Sequence, residues 1–379
     1  MKAYIRSFIV FTIVIMTIIP GSVHVFRVLS GKAGLTLNEN RYLTEWPKPS
    51  EVDGPVAYTQ GVEAYINDNF GLRAEAVKFY SRVYAKFGTS GPVVKGNSPG
   101  WFFLQDAWVW RSYQGNATFT DTTINRWLEA LSELKIESEK SGAVFAAIIP
   151  PNKVRIYPEV APARYGQPSP RRFVNFLYQH PQANDLGLRN IEPMLLQVKA
   201  QHPVYYKTDT HWTSTGAYEG YFAVMNVFNE KGNRFPILEK QALVEVSKKD
   251  YSGDLAKLMG QKDVITEAIS MQSAPSTPQK FVKTVLNKTP EMSGWRVTIH
   301  TNQGQANHVQ DGTTLVIIGD SFSNAPLSYF KHSFDTVVHM QRIEVFNTKF
   351  ALNNLRIYKP DAVLFVAVER NAEQWIGEP

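Results

Sequence analysis

The sequence predicts an α/β fold, a mostly parallel β-sheet covered by helices on both faces, preceded by an N-terminal membrane anchor helix. Short, wholly apolar runs at Val144–Ile149, Leu315–Ile318 and Val363–Val368 read as strands buried on both sides. Stretches with apolar residues at helical spacing lie between them, the pattern of a sheet with helical crossovers. The runs also end in polar loops, Pro151-Asn152-Lys153, Asp320-Ser321-Phe322-Ser323-Asn324 and Glu369-Arg370-Asn371. Sites in such sheets gather beyond the carboxyl ends of the strands, so these loops are where chemistry is expected.

The chain opens with Lys2 and Arg6, followed by twenty residues without Asp, Glu, Lys or Arg before Arg27. As a helix rising about 1.5 Å per residue, that stretch just reaches the ~30 Å core of a bilayer. Basic residues ahead of it keep its amino end in the cytoplasm. Gly21-Ser22-Val23 is a poor cleavage site, which favours an uncleaved signal anchor over residues 1–27, with a cleaved signal and a buried helix as alternatives. The remainder would then face the periplasm.

Residues 28–118 read as a linker and an approach to the main domain. Pro47, Pro49 and Pro55 punctuate the linker, and a helix is expected over Val62–Phe87, broken near Gly71 and stopped by Gly88. Val93-Val94 and Trp101–Leu104 flank Gly96–Gly100 as a hairpin. From residue 119 to 379 the pattern is α/β. Thr122 or Thr123 caps a helix carrying Ile124, Trp127, Leu128, Leu131 and Leu134 on one face, ended by Gly142. Further on come Val204-Tyr205-Tyr206, a helix over about Thr215–Phe228, and the last two strands. Residues 232–310, with Ser273-Ala274-Pro275-Ser276-Thr277-Pro278, read as a less regular excursion over the surface.

Composition narrows the classes of function. With 44% hydrophobic residues, the 379-residue chain can bury a substantial core. The absence of cysteine excludes disulfides and thiolate metal sites. A net charge of +6 is too small and dispersed for a nucleic-acid binder, but suits an anionic polymer or lipid surface.

The chemistry centres on Gly319-Asp320-Ser321-Phe322 and Asp209-Thr210-His211-Trp212. A serine hydroxyl needs a neighbouring base to act as a nucleophile, and the base needs a third group to set its tautomer. Ser321, His211 and Asp209 supply the three types, and in an extended stretch positions 209 and 211 point the same way. The backbone N–H of Ser321 is a natural oxyanion donor. Gly-Asp-Ser is also a common turn, and Asp-x-His a common cap. Metal binding by Asp209 and His211 lacks a visible third ligand, so no metal is expected. Asn152, Asn324, Lys153 and Arg370 lie in the polar loops at the strand ends, with the plain readings of turn residues, a solvated lysine and an ion pair with Glu369.

In these residues the chain resembles the alginate O-acetyltransferase family of exopolysaccharide biosynthesis, the AlgJ/AlgX type with an SGNH-hydrolase-like domain. Supporting stretches are Glu39-Asn40-Arg41, Asp68-Asn69-Phe70, Gly100-Trp101, Pro151-Asn152-Lys153, Ser252-Gly253-Asp254-Leu255 and Glu369-Arg370. Asp209 and His211 precede Ser321, the reverse of ordinary SGNH hydrolases, as in a permuted version of that fold. The usual Gly-x-Asn-Asp block is missing, so the resemblance leaves Asn152 and Asn324 as candidates for the second oxyanion donor, and Lys153 and Arg370 as candidates for holding an acidic sugar. The short tail after the last strand leaves no room for a carbohydrate-binding module, which favours the AlgJ-like variant. The resemblance implies an acetyl-serine on Ser321, His211 as general base and Asp209 orienting it, without a cofactor. It also implies a multi-spanning membrane O-acyltransferase as acetyl supplier, other periplasmic polysaccharide-modification proteins as partners, the inner membrane as its location, and an anionic polysaccharide, alginate foremost, as acceptor. The alternatives are an acetylesterase using the same residues and a non-catalytic scaffold of the export machinery.

Overall fold

Alternation along three apolar strands builds a sheet with two buried faces. In the computed structural model, β3 (Val144–Ile148), β9 (Gln310–Gly319) and β11 (Ala362–Val366) are neighbours and parallel. Successive side chains of a strand point to opposite faces. Ala146, Ile148, Leu315, Ile317, Leu364 and Val366 therefore pack in one core with the helix Ser214–Glu230. Phe145, Ala147, Val316, Ile318, Val363 and Phe365 pack in another with the helices Asp121–Lys140 and Thr348–Tyr358. Described here are residues 91–232, 235–262, 264–276, 281–286, 295–303, 310–342 and 348–375, and, before residue 91, residues 11–12, 18–26, 29–30, 44, 46–49, 54–69, 71–73, 75–76, 79 and 83.

The full sheet has seven strands in the order β4 (Leu188–Arg189), β3, β11, β9, β10 (Phe334–Arg342), β8 (Trp295–Asn302) and β7 (Phe281–Val285). The first five run parallel, whereas β8 and β7 are antiparallel additions at one end. The sheet is thus mixed, which corrects the expectation of a mostly parallel one. The expectation failed in the segment read as a surface excursion. β7 is largely exposed and β8 mostly buried, with Lys283 and Arg296 interrupting the apolar residues, so they lack the continuous apolar run of a doubly covered strand. The same segment holds a second antiparallel pair, β5 (Val244–Tyr251) with β6 (Glu267–Ser273). Val204-Tyr205-Tyr206 forms no strand; only an isolated bridge links Tyr205 to Trp212.

Other elements follow their local signals. The helix Asp121–Lys140 starts two or three residues earlier than expected, because Thr120 rather than Thr122 or Thr123 is its cap, in a capping box with Thr123. Ile124, Trp127, Leu128, Leu131 and Leu134 are all buried, and Gly142 follows the helix at φ 81°. The hairpin expected near residue 100 is β1 (Val93–Lys95) with β2 (Phe102–Leu104).

Two compact units are distinguished, residues 1–93 with 254–265 and residues 94–253 with 266–379. In the first, the helix Gly54–Asn69 ends short of Gly71, and Asp68 accepts from Thr44 N at 2.9 Å and from its hydroxyl at 2.8 Å. Tyr80, Tyr84, Phe87 and Gly88, Glu39-Asn40-Arg41, and residues 1–10, 13–17 and 27 of the expected anchor lie outside the described residues. Residues 18–26 of that stretch are helical, and no helix among the described residues is long and apolar enough to cross a membrane. The site lies in the second unit.

Candidate active site

Strand β9 ends against β11 at a position that only glycine fits. A Cβ on Gly319 would lie 2.8 Å from the Val366 carbonyl oxygen and 3.0 Å from Ser323 Cβ. The chain then turns into one turn of 3-10 helix, Ser321–Ser323, capped by Asp320. Asp320 is buried and clamps this turn to the end of β11. One carboxylate oxygen accepts from Phe322 N at 2.9 Å, and the other from Val368 N at 2.7 Å and Asn371 Nδ2 at 2.8 Å. Burial raises the Asp320 carboxyl above its ordinary value, and these donors and the Arg370 charge oppose the rise. Ser323 Oγ donates to the Asp320 carbonyl at 2.5 Å and lies 2.7 Å from His339 Nε2. Because the hydroxyl has a single hydrogen, His339 must donate to it from Nε2. Ser321 is thus presented by a turn locked from three sides, and the N–H of a first-turn residue is one that a helix leaves unused.

The second half of the site comes from the loop between Tyr205 and Trp212. His211 Nε2 lies 2.8 Å from Ser321 Oγ, and its Nδ1 lies 2.7 Å from Asp209 Oδ1. The same carboxylate oxygen accepts from His211 N at 2.9 Å, a local turn that sets the ring beside the acid. Tyr251 donates to Asp209 Oδ2 at 2.8 Å from the end of β5. Burial alone would raise the Asp209 carboxyl, but the hydrogen bonds and charge of His211 and the Tyr251 hydroxyl outweigh it and hold the carboxyl well below the usual range. Trp212, fully buried, fastens this loop to the serine turn by donating from Nε1 to the Phe322 carbonyl at 3.2 Å. Room for its indole comes from Gly220, where a Cβ would lie 2.9 Å from the ring.

The other sequence candidates separate. Asn152 is buried 3% exposed at the end of β3, its backbone N–H donating to Glu369 at 3.0 Å. Among the described residues its side-chain amide has no hydrogen-bond partner at either atom. It lines a narrow cleft of about 20 Å³ together with Phe103, Leu104, Val109, Thr210 and Arg370. The Arg370 guanidinium lies 5.4 Å from the Phe322 ring centre. Lys153 is turned inward: its ammonium donates to the carbonyls of Tyr206, Lys207 and Asp209. Asn324 donates its amide N–H to the Ser321 carbonyl at 2.9 Å, which makes it a fastener of the turn. Glu369 pairs with Arg172 at 3.5 Å and accepts from Ser112 at 3.1 Å. Sequence reasoning missed Tyr251, Glu267, Arg172 and Ser112. No local signal marks them, since each meets its partner across tens to hundreds of residues.

This geometry can be set beside known proteins. The family described as SGNH hydrolase-like domain, acetyltransferase AlgX, matches residues 93–336, more than half of the chain. The chain belongs to this family. The AlgX-type segment contains Asn152, Asp209, His211 and Ser321, and stops short of β11 and Arg370. A protein named "Probable alginate O-acetylase AlgJ" from Pseudomonas syringae pv. tomato is 26% identical over 165 residues, 42% of this chain and 40% of that protein. A protein of the same name from Pseudomonas fluorescens is 25% identical over 166 residues, again 42% and 40%. The chain thus spans about 40% of the length of these curated relatives. Among solved structures, Bacillus cereus PatB1 superposes with a TM-score of 0.52 at 15% identity, over 74% of this chain and 97% of that one. That likeness bears on the fold, and it agrees with an SGNH-hydrolase-like α/β architecture.

Proposed function

We propose that this protein is a polysaccharide O-acetyltransferase that carries the acetyl group on Ser321. The observation that carries the reading is the chain of contacts from Ser321 Oγ through His211 to Asp209, 2.8 Å and 2.7 Å. His211 takes the Ser321 proton at Nε2 as Oγ attacks the acyl carbonyl of a donor ester. The proton then passes to the departing donor oxygen, leaving acetyl-Ser321. A sugar hydroxyl attacks that ester, gives its proton to His211 and takes the acetyl group, and Ser321 Oγ leaves with the proton. Asp209 holds the Nε2 lone pair toward Ser321 and stabilises the imidazolium. Negative charge on the acyl oxygen is met by the Ser321 N–H, and Asn152 and Arg370, which line one cleft, are the candidates for a second donor.

The acceptor is an anionic exopolysaccharide, alginate foremost. The family, the relatives' names and the +6 charge support this choice. The uncharged stretch before Arg27 supports an inner-membrane anchor with the domain in the periplasm. There a multi-spanning O-acyltransferase supplies acetyl groups at high effective concentration, beside other periplasmic polysaccharide-modification proteins.

The test is incubation of the full chain with an activated acetyl ester and de-acetylated polyuronate, followed by mass spectrometry of polymer and protein. Acetyl groups appear on the polymer with wild type, and neither product nor a labelled residue 321 appears with Ser321→Ala. Free acetate without polymer acetylation would identify an esterase instead. Transfer that survives in Ser321→Ala would sink the mechanism.

A further inference from the structure

We propose that Lys153 and Glu267 form a charged cradle that sets the position of the Asp209–His211 loop, and with it the reach of His211 to Ser321; this rests on the reading of Ser321 as nucleophile. The loop between Tyr205 and Trp212 has one isolated bridge at its base and no ladder for most of its backbone groups. Buried backbone groups must find partners elsewhere. The Lys153 ammonium, on a residue only 5% exposed, donates to the carbonyls of Tyr206 at 3.2 Å, Lys207 at 3.1 Å and Asp209 at 2.8 Å. An ammonium has three hydrogens, and three carbonyls take them.

Glu267 holds the opposite ends of the same peptides. Its Oε2 accepts from Lys207 N at 2.9 Å, and its Oε1 from Thr208 N at 2.8 Å and the Thr208 hydroxyl at 2.6 Å. The carbonyl of Tyr206 and the N–H of Lys207 belong to one peptide group, and the carbonyl of Lys207 and the N–H of Thr208 to the next. Two consecutive peptide planes are therefore strung between a cation and a carboxylate. Each charge faces the dipole end of opposite sign. Rotating either plane breaks a bond on both sides at once, so the direction in which the chain enters Asp209 is fixed. Lys153 opens the short helix Lys153–Ile156 that follows β3, and Glu267 opens β6, so two separate elements grip the loop. Neither residue meets the reacting atoms; they act through Asp209 and His211, as positioning residues.

The experiment measures kcat and KM of the full chain with a small activated acetyl ester, the rate of Ser321 labelling by a fluorophosphonate, and Tm. Lys153→Met is expected to lower kcat and labelling by roughly 100-fold, the scale of a misplacement near 1 Å, with KM nearly unchanged. Glu267→Gln keeps the shape and one acceptor, and is expected to lose about tenfold. Because both hold one loop, the double variant is expected to lose little more than Lys153→Met alone, whereas independent structural roles would multiply. Ethylammonium is expected to restore part of the rate to Lys153→Ala where sodium chloride at equal ionic strength does not. Wild-type kcat in folded Lys153→Met and Glu267→Gln, or multiplying losses without amine rescue, overturns the cradle. Turnover that survives in Ser321→Ala overturns the nucleophile reading itself, and the two failures are told apart by that variant.

Discussion

Asp209 shows how much of the proposed chemistry rests on a single buried carboxylate. One of its oxygens serves the His211 ring and backbone, and the other takes the Tyr251 hydroxyl. Removing the Tyr251 donor leaves the carboxylate more basic, so it stabilises the imidazolium form over a wider range. Tyr251→Phe should therefore shift the acid limb of the kcat/KM profile upward by roughly half a pH unit, the worth of one ordinary hydrogen bond. A pH–rate profile with an activated ester measures this, and an unmoved limb would show that the hydroxyl is only packed there. Asp209, His211 and Ser321 were legible from residue type and local spacing, because the pairing of acid and base is made within three residues. Tyr251 was not, because its contact is made by tertiary folding 42 positions away.

At the scale of elements, the close approach of β9 to β11 positions the serine turn. Gly319→Ala would press a methyl group to within 2.8 Å of the Val366 backbone oxygen, which has no side-chain freedom to yield. The expected cost is about 1–3 kcal/mol of stability, with activity lost beyond that because the turn itself is displaced. Chemical denaturation and ester turnover together check it; a neutral variant would mean that the strands part easily. The elements that were read well from sequence are those whose signal is continuous: β3, β9 and β11 as apolar runs, and Asp121–Lys140 as a five-residue apolar stripe. Those read poorly have signals that tertiary contacts decide. Val204-Tyr205-Tyr206 looks like a strand, yet Val204 N bonds the Tyr157 hydroxyl and Tyr205 its own hydroxyl to the Pro151 carbonyl, which leaves an anchor for the loop rather than a ladder. The antiparallel strands β7 and β8 carry lysine and arginine among their apolar residues, so composition alone resembled surface.

For the molecule as a whole, buried His339 couples stability to pH. Burial lowers its pKa to about 3, helped by the charges of His300, Lys283, Arg296 and Lys331. The unfolded chain, with histidine near 6.5, binds a proton that the folded chain refuses between those values. Stability from this group is therefore complete above about pH 6.5 and is lost as pH falls toward 3, by up to about 3 kcal/mol at pH 4. Thermal melts from pH 7 to 4 should show the decline, and His339→Gln should reduce it, the remainder coming from His300, whose pKa burial lowers to about 4. A decline of equal slope in that variant would assign the effect to other groups. His339 also donates to Ser323, within the turn that bears Ser321.

The order of strands in the sheet differs from their order in the chain, and this bears on when the protein becomes reactive. β11 comes last among the described strands, yet it lies between β3 and β9. Val368 and Asn371, which steady Asp320 beneath the serine turn, come later still. A growing chain therefore carries Asp209, His211 and Ser321 long before it holds the strand that seats them. Non-local closure of this kind is slow and arrives as one late event. On the proposed mechanism, half-made copies stay chemically silent, and the hydroxyl of Ser321 gains its activating setting only when the final strand slides into the middle of the sheet.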